Sequence, residues 1–202
     1  MRWAVRQLCS PVRYLMITQG SGLLTSKRTY DFVIPGLVGA GMVLLTSRVP
    51  LKLGLFSDKG LVPDVISLLN LLIAFFIAAL AAVATFDRKG LDEALKGEPA
   101  LLRRRNKRSV LVEHILTHRQ FVCYLFGYLS FASIAFLLTL YGLRMFGDQI
   151  KLLVDRTGDL AGVVHALGTF LFFGILSQLV ITMLLGIYFL SDRLQFLDDS
   201  TV

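Results

Sequence analysis

Long apolar runs separated by short charged connections set the architecture of this chain. A helix needs about 20 apolar residues to cross roughly 30 Å of hydrocarbon. Three stretches meet that length. Val65 to Phe86 and Phe121 to Leu143 carry no charge, and from Leu160 to Ser191 the one group that titrates near neutral pH is His165. The last stretch is long enough to span with tilt or to project beyond the bilayer. A shorter run, Phe32 to Thr46, reaches spanning length if Arg28 and Arg48 snorkel from its ends with Tyr30 at the interface. Pro35 falls in its first turn, where proline is tolerated. The competing reading of this run is a re-entrant segment.

Charge placement decides between the two. With four spans and the amino terminus inside, the cytoplasmic side holds 15 lysines and arginines and the outer side 6. That is the bias the positive-inside rule requires. A re-entrant first run would leave 11 against 10, which is no bias. The expected fold is therefore all-α: a polytopic protein of the inner (cytoplasmic) membrane with four transmembrane helices and both termini in the cytoplasm. Its segments are a basic amino-terminal stretch (1–29), a first transmembrane hairpin (30–86) and a basic cytoplasmic loop and helix (87–120). A second transmembrane hairpin (121–191) and a short tail (192–202) complete the chain.

Composition agrees with the pattern. Of 202 residues, 55% are hydrophobic and 17% charged, and the mean hydropathy is +0.68. A soluble domain must solvate its surface and rarely carries so much apolar material. The net charge of +7 reads as loops held at the membrane face by anionic lipid, and direct nucleic-acid binding is not expected. Cys9 and Cys123 form neither a disulfide framework nor a metal knuckle. Arg2, Arg6 and Arg13 interrupt the amino terminus, leaving no secretory h-region. Residues 1–15 are open to two readings, as part of the native protein or as an extension ahead of a start at Met16.

The loop from Asp87 to Gln120 is the largest feature outside the spans. Asp87-Arg88-Lys89-Gly90 stops the second helix, and Leu91, Ala94 and Leu95 suggest a brief amphipathic turn. After Gly97 and Pro99, nothing from Ala100 onward breaks a helix before the membrane. The third span is therefore expected to extend below the membrane as a cytoplasmic helix. Arg103, Arg104, Arg105, Lys107 and Arg108 would line this rod. The cluster fits first a topology anchor on anionic lipids, worth about 1 kcal/mol per basic residue, and second, without conflict, the docking of an acidic protein partner.

Catalytic chemistry is not visible. Membrane catalysis calls for intramembrane carboxylates, clustered histidines or a serine with its base, and the apolar runs contain none. The chain reads as non-enzymatic, with no catalytic residue, cofactor or metal expected. Asn70 and His165 near the outer ends of their spans, and Gln178 near mid-membrane, read as interhelical hydrogen-bonding groups, worth about 0.6 kcal/mol each. A pore-lining role is the alternative. His114 and His118 lie four apart, as on one helix face, but Glu113 precedes the first histidine, unlike the zincin order.

Small residues recur at helical spacing: Gly36 and Ala40, then Ala74, Ala78 and Ala82, Gly127 and Ser130, Gly174 and Ser177. Such residues let helix backbones approach. A homo-oligomer is expected, taken as a tetramer, with Phe75, Phe76, Phe170, Phe172 and Phe173 facing lipid or filling gaps between subunits. The second reading is an oligomeric pore lined by Ser177, Gln178 and Thr182.

The layout resembles small bacterial four-span proteins that act with a cytosolic partner, and among them the membrane subunit of the Kiwa anti-phage defence system. The resemblance lies in size, in four spans, and in a basic cytosolic helix running through Arg103-Arg104-Arg105-Asn106-Lys107-Arg108 into Gln120-Phe121-Val122-Cys123-Tyr124. It covers most of the chain from Lys27 onward and is architectural. It implies a multimeric membrane sensor or scaffold that recruits a cytosolic DNA-binding effector.

Overall fold

The computed structural model describes residues 9–20, 26–48, 60–85, 89–94, 99–105, 111–147 and 160–193, with single positions at 7, 149, 152 and 154. For residues 89, 90, 103–105, 111, 192 and 193 the description is of the backbone alone. Four helices dominate: α1 (Thr29–Arg48), α2 (Leu61–Thr85), α3 (His118–Met145) and α4 (Ala161–Tyr188). Each is long and apolar enough to cross a membrane, so the chain is an all-α, multi-pass membrane protein. The helix ends fall within a few residues of those set by the uncharged runs.

The third span does not continue below the membrane as a helix. Leu101–Arg105 (β1) and Leu111–Ile115 (β2) instead form an antiparallel hairpin, with Leu101 opposite Ile115 and Arg105 opposite Leu111. Helix α3 starts only at His118, and the cause is local. Thr117 is extended (φ −76°, ψ 163°), and its hydroxyl accepts from the Gln120 N–H at 3.3 Å while Gln120 Oε1 accepts from the Thr117 N–H at 3.3 Å. This reciprocal cap satisfies two donors and fixes the helix start. Ahead of it, β-branched Val112 and Ile115 favour strand. His114 is consequently on a strand and His118 on a helix, so the two share no helix face.

The helices do not pack as consecutive hairpins. Helix α1 lies along α4, α2 lies along α3, and the two pairs join where α3 meets α4. Close approach explains the choice of partners. A Cβ on Gly39 would come within 2.8 Å of the Phe170 carbonyl oxygen, and one on Gly186 within 2.8 Å of a Leu125 methyl. With no hydrophobic drive between helices in lipid, such contacts supply the packing energy. Gly36 and Gly127, expected to serve this role, face open space.

Helix α3 is the most enclosed of the four, with Phe121, Val122, Leu125, Phe126, Leu129 and Leu140 fully buried. Phe76 also belongs to this core and not to the lipid face, being 1% exposed with its ring 6.3 Å from that of Phe126. In contrast, Leu37, Leu71, Leu138, Val163 and Leu184 are each more than half exposed, as suits lipid-facing positions.

One end of the bundle carries every described strand and 3₁₀ helix. A 3₁₀ helix, Ser10–Met16, packs on the start of α3. Thr18 pairs with Leu101 and Ala94 with Thr117 as isolated bridges, and Phe189 past the end of α4 meets Phe121 at 4.9 Å. Arg119 grips Asp92 with two nitrogens, at 2.9 and 3.2 Å, and donates to the Ala84 carbonyl at 3.3 Å. The amino-terminal segment, the basic hairpin and the carboxyl end of α4 therefore share one side.

Candidate functional site

Helix α1 opens in a wide π-helical turn, Thr29–Val33, in which the Ile34 N–H reaches back to the Thr29 carbonyl. Pro35 accounts for it: the ring lacks an N–H and would clash with the carbonyl four residues earlier, that of Asp31. Widening the turn relieves that clash. Turns of this kind recur at functional sites. Asp31, in the middle of this one, is 3% exposed.

The carboxylate pairs with Lys27, one helical turn before it, and the ammonium is equally buried. Lys27 Nζ also donates to the Tyr14 carbonyl at 3.0 Å and sits 3.7 Å from the centroid of the Tyr14 ring. Tyr14 stacks on Tyr128 of α3 at 5.1 Å, and the Tyr128 hydroxyl donates to Gln178 Oε1 of α4 at 2.9 Å. Three elements thus converge on one buried pair. Asp31 is near enough to Tyr14 and Tyr128 to act on both electrostatically.

The level of this cluster is set by the helix register. Pro35 faces Gly174 and Gly39 faces Phe170, so the antiparallel α1 and α4 bring Asp31 level with Gln178. Tyr128 lies ten residues after His118, about 15 Å along α3 at 1.5 Å per residue. A carboxylate therefore lies well inside the helical layer, contrary to the expectation that the spans hold none. Ionisable groups at such positions are rare and paired, and they mark sites of function.

Electrostatics follow from burial. Removal from water pushes the Lys27 ammonium below its ordinary value, with the Asp31 charge opposing that fall. Burial also raises the Tyr14 hydroxyl well above 10.0, helped by the charge on Asp31 and by Tyr128. Among the described residues, the fully buried Tyr14 hydroxyl has no hydrogen-bond partner, nor does that of Thr182. An orphaned hydroxyl costs about 1–3 kcal/mol.

The residues expected to carry function distribute unevenly. Gln178 reaches another helix through Tyr128. Asn70 and His165 are exposed on the outer faces of α2 and α4, and no partner among the described residues engages either side chain. Arg103, Arg104 and Arg105 form the end of β1, while Lys107 and Arg108 lie outside the described residues. Lys27, Asp31 and Tyr14 were not legible as a site. Their one sequence signal is an opposed pair four apart at the foot of a span, followed by Pro35. No family model matches this chain, and no curated protein or solved structure matches it.

Proposed function

We propose that this chain is a non-enzymatic membrane scaffold or sensor that assembles as a homo-oligomer and docks an acidic cytosolic protein on its basic hairpin. In this reading it resides in the inner membrane with both termini cytoplasmic. The supporting observation is the anchoring of the hairpin. Its base is clamped by the Thr18–Leu101 and Ala94–Thr117 bridges and by the Leu116 N–H donating to the Ala100 carbonyl at 3.0 Å. Five basic residues fall between Arg103 and Arg108, where the two strands join. A fixed mount with a concentrated charge suits recognition, because little ordering entropy is lost on binding. That amino terminus, hairpin and α4 end share a side agrees with the charge bias.

Outward-facing Ala40, Ala74 and Ala78 offer small-residue surface for contact between copies. Anionic lipids would share the hairpin charge with the protein partner. A role in anti-phage defence is what the architectural resemblance adds. The pore reading draws less support: Thr182 is 1% exposed within a single chain, and Gln178 is engaged by Tyr128.

Recovery of cytosolic proteins from detergent extracts tests the proposal. Changing Arg103, Arg104, Arg105, Lys107 and Arg108 to glutamine is expected to remove a co-purifying acidic protein. Recovery of every partner by that variant refutes docking at the hairpin. Conductance by the reconstituted chain would favour the pore.

A further inference from the structure

The ion pair inside the helical layer and the hairpin outside it are joined by an unbroken series of contacts. Asp31 holds Lys27. Lys27 Nζ holds the Tyr14 carbonyl, and the Lys27 backbone N–H donates to the Gln19 carbonyl at 3.0 Å. One residue earlier, Thr18 exchanges both backbone hydrogen bonds with Leu101, the first residue of β1, at 3.0 and 2.9 Å. Residues 9–20 therefore bridge from the intramembrane charge to the basic hairpin.

This bridge is held on the bundle against real penalties. The Lys27 cation has left water, and the Tyr14 hydroxyl is buried with no partner among the described residues. What offsets them is the neutrality of the pair as a unit, together with the ring stack on Tyr128. Among the described residues, the groups beside the pair are Tyr14 from the segment and Tyr128 from α3, the latter donating to Gln178 of α4, and none of them carries a compensating charge. Loss of charge on Asp31 would leave a lone buried ammonium, which solvation draws back toward the surface together with the backbone it grips.

We propose that residues 9–20 are a releasable strap: the Lys27–Asp31 pair fastens it, and neutralising the Asp31 carboxylate, as by a proton taken up from the aqueous phase, frees the hairpin. The inference deepens the docking reading by naming its control, and rests on that reading only for its purpose.

Hydrogen exchange of the full chain in nanodiscs of phosphatidylethanolamine and phosphatidylglycerol tests it. Asp31→Asn copies the neutral carboxyl. It is expected to speed exchange across 99–105 and 111–116 by about tenfold, a local opening, while 125–140 stays protected. Thr18→Pro removes the N–H that holds Leu101 and leaves the pair intact; Ile17 is already extended (φ −70°, ψ 125°), as a residue before proline prefers. It is expected to speed the same peptides, and Asp31→Asn added to it should then change them no further. Unaltered hairpin exchange in Asp31→Asn overturns the proposal, as does an equal effect of Asp31→Asn with and without Thr18→Pro. Should Asp31→Asn loosen the whole bundle, Lys27→Met/Asp31→Leu, which leaves no charge to bury, decides. With no stranded ammonium to draw the strap away, hairpin exchange in that variant is expected to return to near wild type, and exchange as fast as in Asp31→Asn rejects the strap. The exchange reads coupling and the pull-down reads docking, so either can fail alone.

Discussion

A lysine and an aspartate buried together, one helical turn apart at the start of a span, have unequal stakes in each other. Removing one partner of a buried pair strands the other and costs about 3–5 kcal/mol, whereas replacing both with apolar side chains of similar volume is near neutral or stabilising. Asp31→Asn and Lys27→Met are therefore each expected to lower the thermal midpoint in detergent, and Lys27→Met/Asp31→Leu to regain most of it. Tyr14 adds a pH signature. Its folded-state value lies above the unfolded 10.0, so its contribution is intact below pH 10 and is lost as pH rises beyond it. Lys27 has the opposite sign: its folded value lies below 10.5, so its share of stability grows as pH approaches that value. Tyr14→Phe should flatten the loss above pH 10 in a pH series of unfolding midpoints. It should also raise neutral-pH stability by about 1 kcal/mol by deleting the orphaned hydroxyl.

Among the elements, glycines with different surroundings make different predictions. Gly39→Ala must displace the Phe170 backbone, an overpacking that costs about 1–3 kcal/mol. Gly36→Ala meets nothing within 4 Å and should gain about 0.5–1 kcal/mol from helix propensity. Unfolding midpoints of the two variants measure the contrast. Thr117→Ala removes one half of the reciprocal cap and should cost about 1 kcal/mol, with exchange quickening first at the start of α3. The Thr117-x-x-Gln120 signature was readable in the sequence. No glycine or proline interrupts residues 100–120, but a strand needs no breaker to displace a helix, so a lack of breakers does not specify one. Span ends were legible because charge is excluded from hydrocarbon, so Thr85 and Met145 fall where the uncharged runs stop. Asp31 lies one residue before its apolar run and so reads as flank in the sequence. Only the π-helical turn forced by Pro35 and the covering Tyr14 bring it inside.

For the whole molecule, the sidedness of the bundle is the quantity to measure. Cys9 is exposed, as is Val112 in β2, and a cysteine at either position should react with an impermeant maleimide from the same side. Leu160, 60% exposed at the start of α4, should react from the other. A chain starting at Met16 would lack Tyr14 and is expected to lose the protection of residues 17–20 and to unfold at lower temperature. Which helices pair was not readable from hydropathy, since an apolar face toward lipid and one toward a neighbour have the same composition. Gly39 and Gly186 hold that information, and only the backbone atoms opposite them reveal it.

The pairing of the first span with the last has a consequence for biogenesis. Helix α1 is the least apolar of the four, and the surface that shelters it belongs to α4, the last to be made. At about 5–20 residues per second, the ribosome needs roughly 7–28 seconds to travel from Arg48 to the end of α4. Throughout that interval α1 has its Gly39 face turned to lipid or to the insertion machinery, and the Tyr128 hydroxyl beside the pair lacks Gln178 as its acceptor. Nascent chains arrested before α4 should therefore be the ones that membrane proteases remove, and insertion partners of the ribosome should be found cross-linked to α1 until the final helix arrives.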